Sequence, residues 1–257
     1  DECHMPYNFQ LIDLPWQAGS VREAVDAYEA ALPQGAWPNW VLGNHDKQRV
    51  GTRIGREKAR IANMLLLTLR GTPTTYYGEE IGMENVPIPP QFVQDPPAVL
   101  QPEIADVIGR DPVRTPMQWD DSDCAGFCAP PAEPWLPVAG SYREVNAARQ
   151  QENPFSSLKL YRLVAHLRRA EPALHGGTYA SLASENADIY AYVRRHPEGD
   201  SFLVVLNFGS EHQAVDLSQI SGTATIAIAS NMDRAGRIEL SSFNMAPNEG
   251  LILRLSK

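Results

Sequence analysis

The sequence predicts an α/β chain in two blocks: an alternating strand–helix block with a parallel sheet, then an all-β block of sandwich type. Two observations carry this. Up to residue 77 the apolar pattern reads strand, helix, strand, helix, strand, which is the order of βαβ units. After Gly176-Gly177 the helical period disappears, and short alternating segments separated by turn residues take its place. The boundary is placed at residue 175, giving blocks of residues 1–175 and 176–257.

Each element has its own signal. Residues 4–12 are rich in aromatics and read as a strand, weakened by Pro6. Ser20-Val21-Arg22-Glu23 has the spacing of a capping box, and Val21, Ala24, Val25, Tyr28 and Leu32 keep helical spacing up to Pro33. Trp40-Val41-Leu42, apolar between Pro38 and Gly43, reads as a buried strand. A helix over residues 57–70 buries Ile61, Met64 and Leu65, with Gly71 as its C′ residue. Residues 72–77 are β-branched and aromatic and form the third strand.

Residues 84–153 break the alternation. This Pro-rich span holds Trp119, Phe127, Trp135 and a short helical segment near residues 103–108. Connections of that length inside a compact domain are usually functional. Asn153-Pro154 reads as the N-cap and first residue of a helix reaching residue 171. Strands then follow at 178–182, 189–194, 202–208, 223–229, 237–240 and 250–255.

The chain has 31 acidic against 22 basic residues, a net charge of -9, which argues against nucleic acid or an anionic membrane as partner. No apolar run has the length of a membrane span; the longest, Met64-Leu65-Leu66-Leu67, belongs to a periodic helix. The three cysteines, Cys3, Cys124 and Cys128, form no disulfide framework and fit a reducing compartment. With no Asn-X-Ser/Thr sequon, this points to the cytoplasm. Cys124 and Cys128 share a loop and could pair; no His stands at zinc spacing, and neither a metal nor a cofactor is expected.

Asn44-His45-Asp46 and Arg49 follow the Trp40 strand directly, at the mouth where parallel α/β folds bind ligands. Spacing alone allows an ordinary polar loop equally well. Three further motifs decide the reading. They are His4-Met5-Pro6-Tyr7-Asn8-Phe9-Gln10, Gly71-Thr72-Pro73-Thr74-Thr75-Tyr76-Tyr77-Gly78-Glu79-Glu80-Ile81-Gly82-Met83, and Arg110-Asp111-Pro112-Val113-Arg114-Thr115-Pro116-Met117-Gln118-Trp119-Asp120. Together and in this order they resemble the C-terminal half of α-glucosidases of the α-amylase superfamily, the maltase and oligo-1,6-glucosidase type (glycoside hydrolase family 13). The resemblance covers essentially the whole chain.

The resemblance implies the sixth to eighth strand–helix units of a TIM barrel, followed by the family's C-terminal β-domain. It implies that Asp46 is the third catalytic carboxylate, which stabilises the transition state, and that His45 donates to sugar hydroxyls. Arg114 matches an arginine that helps fix the terminal glucose. Asn44 and Arg49 are carried over as substrate-binding, Arg49 either holding Asp46 or bracing the loop. The family's nucleophile and proton donor lie upstream, and no segment here matches either. Glu79 and Glu80 are expected to cap a rim turn or pair with a basic residue, not to replace them. Trp119 and Trp135 are expected to pack, and Tyr7 and Phe9 to line the pocket or enter the core.

The implied activity is that of an exo-acting, retaining α-glucosidase on small α-glucosides. The missing N-terminal half of the barrel would come from the same or a second chain, so the isolated chain is expected to be inactive. The alternatives are a sucrose- or trehalose-type glucosyl isomerase, a transglucosylase, or a non-catalytic relative such as a transporter heavy chain.

Overall fold

The computed structural model describes residues 3–220 and 222–256; Asp1 and Glu2, at the start of the first block, lie outside them. Helices α1 (Gln10–Asp13) and α2 (Ala18–Ala31) precede strand β1 (Asn39–Val41), and α3 (Val50–Ile54) and α4 (Arg56–Thr68) lead to β2 (Thr72–Thr74). The Pro-rich span holds short helical turns, among them α5 (Pro96–Leu100) and α6 (Ala105–Ile108). Helices α7 (Ala147–Glu152), α8 (Ser157–Ala170) and α9 (Pro172–His175) follow. The chain ends in strands β3 (Thr178–Leu182), β4 (Ile189–Arg195), β5 (Phe202–Asn207), β6 (Gln213–Val215), β7 (Thr223–Ala229), β8 (Gly236–Glu239), β9 (Phe243–Met245) and β10 (Gly250–Leu255). No helix among the described residues is long and apolar enough to cross a membrane.

Two compact units emerge, one of Asp1–Leu42, Arg60–Thr74 and Leu160–Lys257, the other of Gly43–Ala59 and Thr75–Lys159. In the first unit β1 and β2 pair in parallel, Trp40 opposite Pro73, and Asn8 makes a parallel bridge to Trp40. Three chain segments thus lie side by side in sequence order, as consecutive βα units require. Trp40 is fully buried with Ile61, Met64, Leu65 and Leu66, and its indole N–H donates to the Arg70 carbonyl at 2.6 Å.

The β-domain, also in this unit, is a six-stranded antiparallel sheet in the order β3-β4-β5-β10-β7-β8, with β6 and β9 paired as a separate ribbon. Ribbon and sheet share one apolar core that includes Val193, Leu203, Val215, Phe243, Met245 and Leu253. The alternation along β4 does not separate core from solvent, because both faces are buried. Tyr192 and Thr68 hydroxyls stand 2.5 Å apart, the Tyr179 hydroxyl donates to Asp26 at 2.6 Å, and the Arg194 guanidinium donates to the Thr68 and Gly177 carbonyls. The polar-looking face of β4 is therefore satisfied against α2 and the end of α4.

Four local expectations are corrected. Residues 4–12 are not a strand: beyond the bridge at Asn8, its side-chain oxygen accepts from Gln10 N at 2.9 Å and turns the chain into α1. Ser20 is not an N-cap, because α2 starts at Ala18 and the Val21 N–H is already bonded to Gln17 O at 3.0 Å. The helix expected from Asn153 starts later, as α8 at Ser157, and a separate helix, α7, ends just before Asn153. Asn146 caps α7 by accepting from Arg149 N at 2.7 Å, Asn153 shapes the break, and Ser156 accepts from Lys159 N at 3.2 Å to open α8. The third strand ends at Thr74, since the Tyr76 N–H is taken by the Glu79 carboxylate at 3.1 Å rather than by a neighbouring strand.

Candidate active site

All the residues of the site lie in the second unit. Asn44 shapes its first segment: the side-chain oxygen accepts from Asp46 N at 2.9 Å and Lys47 N at 3.0 Å, an Asx-type turn that presents His45 and Asp46 to solvent. The Asn44 acceptor is thus occupied by the loop. A Cβ at Gly43 would meet Glu79 Oε1 at 2.3 Å, so the buried carboxylate would have to shift to admit one.

The second segment is the turn Asp111–Val113, which places Arg110 and Arg114 four residues apart and both within reach of Asp46. Arg110 Nη1 and Arg114 Nη2 donate to Asp46 Oδ1 at 3.2 and 3.1 Å, and His45 Nε2 lies 3.4 Å from the same oxygen. Arg114 Nε also donates to the His45 carbonyl at 2.9 Å. Among the described residues Oδ2 takes no such partner, and the Asp46 side chain is 43% exposed.

Burial pulls the Asp46 carboxyl up, but the Arg110 hydrogen bond and the His45, Arg110 and Arg114 charges outweigh it and hold the group below the usual carboxylate range. Asp46 is therefore an anion throughout the neutral range.

Behind these residues runs a buried acidic relay. The Asp111 carboxylate accepts from Gln94 N at 2.7 Å and Asp95 N at 2.9 Å. Asp95, whose side chain has no exposed surface, in turn accepts Nη2 of Arg110 at 2.7 Å and the Arg110 main-chain N–H at 2.9 Å. The Arg110 hydrogen bond, ahead of the opposing effect of burial, keeps Asp95 ionised. Sequence reasoning missed both Arg110 and Asp95. Arg110 stood in the quoted motif, and its i, i+4 relation to Arg114 was the available signal; Asp95 carried none.

Arg49 is corrected: it makes no ion pair with Asp46. It is 2% exposed, donates through Nη1 to Tyr77 O at 2.6 Å, and its guanidinium lies 4.6 Å from the Tyr77 ring centroid and 5.2 Å from that of Tyr76. Those tyrosines donate their hydroxyls to Val113 O at 3.2 Å and Thr115 O at 2.7 Å. Arg49 thus packs against the two tyrosines whose hydroxyls reach the segment carrying Arg114. Glu79 caps the turn at Tyr76, and burial pushes its carboxyl up to about 8.

Trp119 and Trp135 do not pack away. They are 52% and 51% exposed and, with Tyr77, Phe127, Glu80 and Arg114, line a cavity of 510 Å³. In the other unit, Tyr7 and Phe9 stack on each other at 5.8 Å and remain exposed.

Comparison with known proteins gives a consistent result. The family model "Alpha amylase, catalytic domain" matches residues 2–177. Salivary alpha-glucosidase of Anopheles gambiae is 38% identical over 98% of this chain, which spans 44% of that protein. The human amino acid transporter heavy chain SLC3A1 is 35% identical over 98% of the chain, which spans 36% of it. The crystal structure of trehalulose synthase MutB from Pseudomonas mesoacidophila superimposes with a TM-score of 0.85 at 31% identity, over 98% of this chain and 51% of that one. The chain thus spans 36% to 51% of the length of these proteins, and its architecture is the C-terminal part of a TIM barrel followed by a β-domain.

Proposed function

This chain belongs to the α-amylase family, and from that premise we propose that it supplies the third carboxylate of a retaining, exo-acting α-glucosidase working on short α-glucosides. Retaining hydrolysis builds positive charge on the sugar ring, between a nucleophilic carboxylate and a carboxylic acid about 5–5.5 Å apart. Asp46 is neither of these. It is a fixed anion beside the ring, stabilising that charge, and needs no reorganisation because its oxygen Oδ1 is already held. The single observation that carries this reading is that Oδ1 of Asp46 faces Arg110, Arg114 and His45 while the side chain stays 43% exposed.

In this proposal His45 donates to sugar hydroxyls, and Arg114 fixes the terminal glucose so that single units are released. Asn44 and Arg49 act through the loop and the tyrosine pair. The nucleophile and the proton donor come from carboxylates outside this chain, in the same or a second polypeptide. Identity to the salivary alpha-glucosidase and 37% identity to Maltase A1 of Drosophila melanogaster support the hydrolytic outcome. The likeness to trehalulose synthase supports a second reading, in which the glucosyl intermediate is returned to a sugar rather than to water.

The full polypeptide, given maltose as sole substrate, separates these. Glucose alone supports hydrolysis; a rearranged disaccharide indicates an isomerase, and longer oligosaccharides indicate a transglucosylase. No turnover of any α-glucoside overturns the catalytic reading in favour of a relative without chemistry.

A further inference from the structure

Cys124 and Cys128 lie in a turn that the proposed catalysis does not use. Cys124, Ala125 and Gly126 have φ of 57°, 56° and 66°, three successive left-handed residues of which only the glycine is at ease there. The turn is held from outside. Asp120 Oδ1 accepts from Ser122 N at 3.0 Å, and its carboxylate lies so close to Gly126 that a Cβ would meet Oδ2 at 2.6 Å. Trp119 N donates to Ala125 O at 2.9 Å, and Phe127 N to Cys124 O at 3.0 Å.

This tight reversal sets Cys124 and Cys128, four residues apart, at the two ends of one hydrogen-bonded turn. Both thiols are half-buried, Cys128 Sγ donates to Ala132 O at 3.4 Å, and burial together with the neighbouring Cys128 thiol holds the Cys124 thiol above its ordinary range. Among the described residues no group of three His, Cys, Asp or Glu side chains that could hold a metal ion is found. Phe127, between the cysteines in sequence, forms part of the wall of the cavity that holds Trp119, Trp135 and Arg114.

We propose that Cys124 and Cys128 are a redox pair that closes into a local disulfide in oxidising surroundings and locks the turn carrying Phe127 onto the cavity rim. With glutathione disulfide as oxidant, one protein thiolate attacks a glutathione sulfur and expels a glutathione thiolate. The second protein thiolate then attacks the mixed disulfide at the protein sulfur and expels the other. Two protein thiols are oxidised to one disulfide, one glutathione disulfide is reduced to two thiols, and the two protein protons end on the released thiols. Only a few residues lie inside the ring, so the constraint is local to the turn.

The test incubates the full-length protein with glutathione disulfide under native conditions, blocks residual thiols with N-ethylmaleimide and digests it. Trypsin, cutting after Arg114 and Arg143, leaves both cysteines on one peptide, residues 115–143. The expected product is this peptide unalkylated and lighter by two hydrogens, with chymotryptic halves cut after Phe127 that separate only on reduction. The Cys3→Ser variant should give the same product. Two N-ethylmaleimide groups, two glutathione adducts, or a bridge to Cys3 would each overturn the pairing. Tryptophan emission should shift on reduction in the parent and not in a Cys124→Ser, Cys128→Ser variant; an unchanged parent spectrum would overturn the effect on the rim.

Discussion

The carboxylate of Asp95 grips Arg110 with both oxygens, Oδ1 taking Nη2 at 2.7 Å and Oδ2 taking Nε at 3.0 Å. Because Arg110 reaches Asp46 from this clamp, the exposed carboxylate of the site is oriented by a buried one. The clamp accounts for how an exposed loop can hold an anion in a defined position.

Asp95→Asn should loosen that clamp. Removing the charge leaves Arg110 facing a neutral amide, and the buried site loses about 1–3 kcal/mol. Urea denaturation of the full-length protein checks the loss, and kcat/KM for an α-glucoside should fall with it, by roughly tenfold, as Arg110 and Asp46 lose their fixed geometry.

Asp46→Asn should separate chemistry from stability. Asp46 is exposed, so the unfolding free energy should move by no more than about 0.5 kcal/mol. Loss of the fixed anion should lower kcat by about 10²–10³-fold. Steady-state kinetics decide it; unimpaired turnover would remove Asp46 from the mechanism.

Glu79 predicts a pH dependence. Its folded pKa of about 8 lies above the ordinary 4.5, so the folded protein holds this proton more tightly than the unfolded chain. The associated stability is fully present below about pH 4.5 and is lost as pH rises toward 8. Glu79→Gln keeps an acceptor for Tyr76 N and removes the titration. Its stability between those limits should be flatter than the parent's by on the order of 2–4 kcal/mol, read from denaturation midpoints across the range.

Gly43→Ala should destabilise the site loop by about 1–3 kcal/mol, since the new methyl group runs into the Glu79 carboxylate. The double variant with Glu79→Ala should recover part of that loss. A strictly additive double variant would show that the two positions do not meet.

Much of the fold and the outline of the site were legible in local signals. Six of the eight strands after residue 177 stand where the sequence placed a segment, β3, β7 and β10 to the residue, while β6 and β9 were not expected. Asn44-His45-Asp46 at the end of a short apolar run, with the motif containing Arg114, identified both halves of the site. What stayed hidden involved partners distant in sequence. Asp95 looks like any acidic residue in a Pro-rich loop until Asp111 pins its main chain and Arg110 arrives. The ends of elements failed for a different, local reason: Asn8 with Gln10, Gln17 with Val21 and Glu79 with Tyr76 make bonds within four residues that displace the strands and caps propensity assigned.

The sequence by itself determined the class of the chain, the family resemblance and the segments that meet at Asp46, because hydrophobic period and motif order are written in neighbouring residues. Only the tertiary structure decided that Arg49 supports tyrosines instead of Asp46, that Arg110 and Arg114 share one oxygen of Asp46, and that Trp119 and Trp135 line a cavity. Which donor reaches which acceptor depends on how loops far apart in the chain come together, and no local pattern encodes that distance.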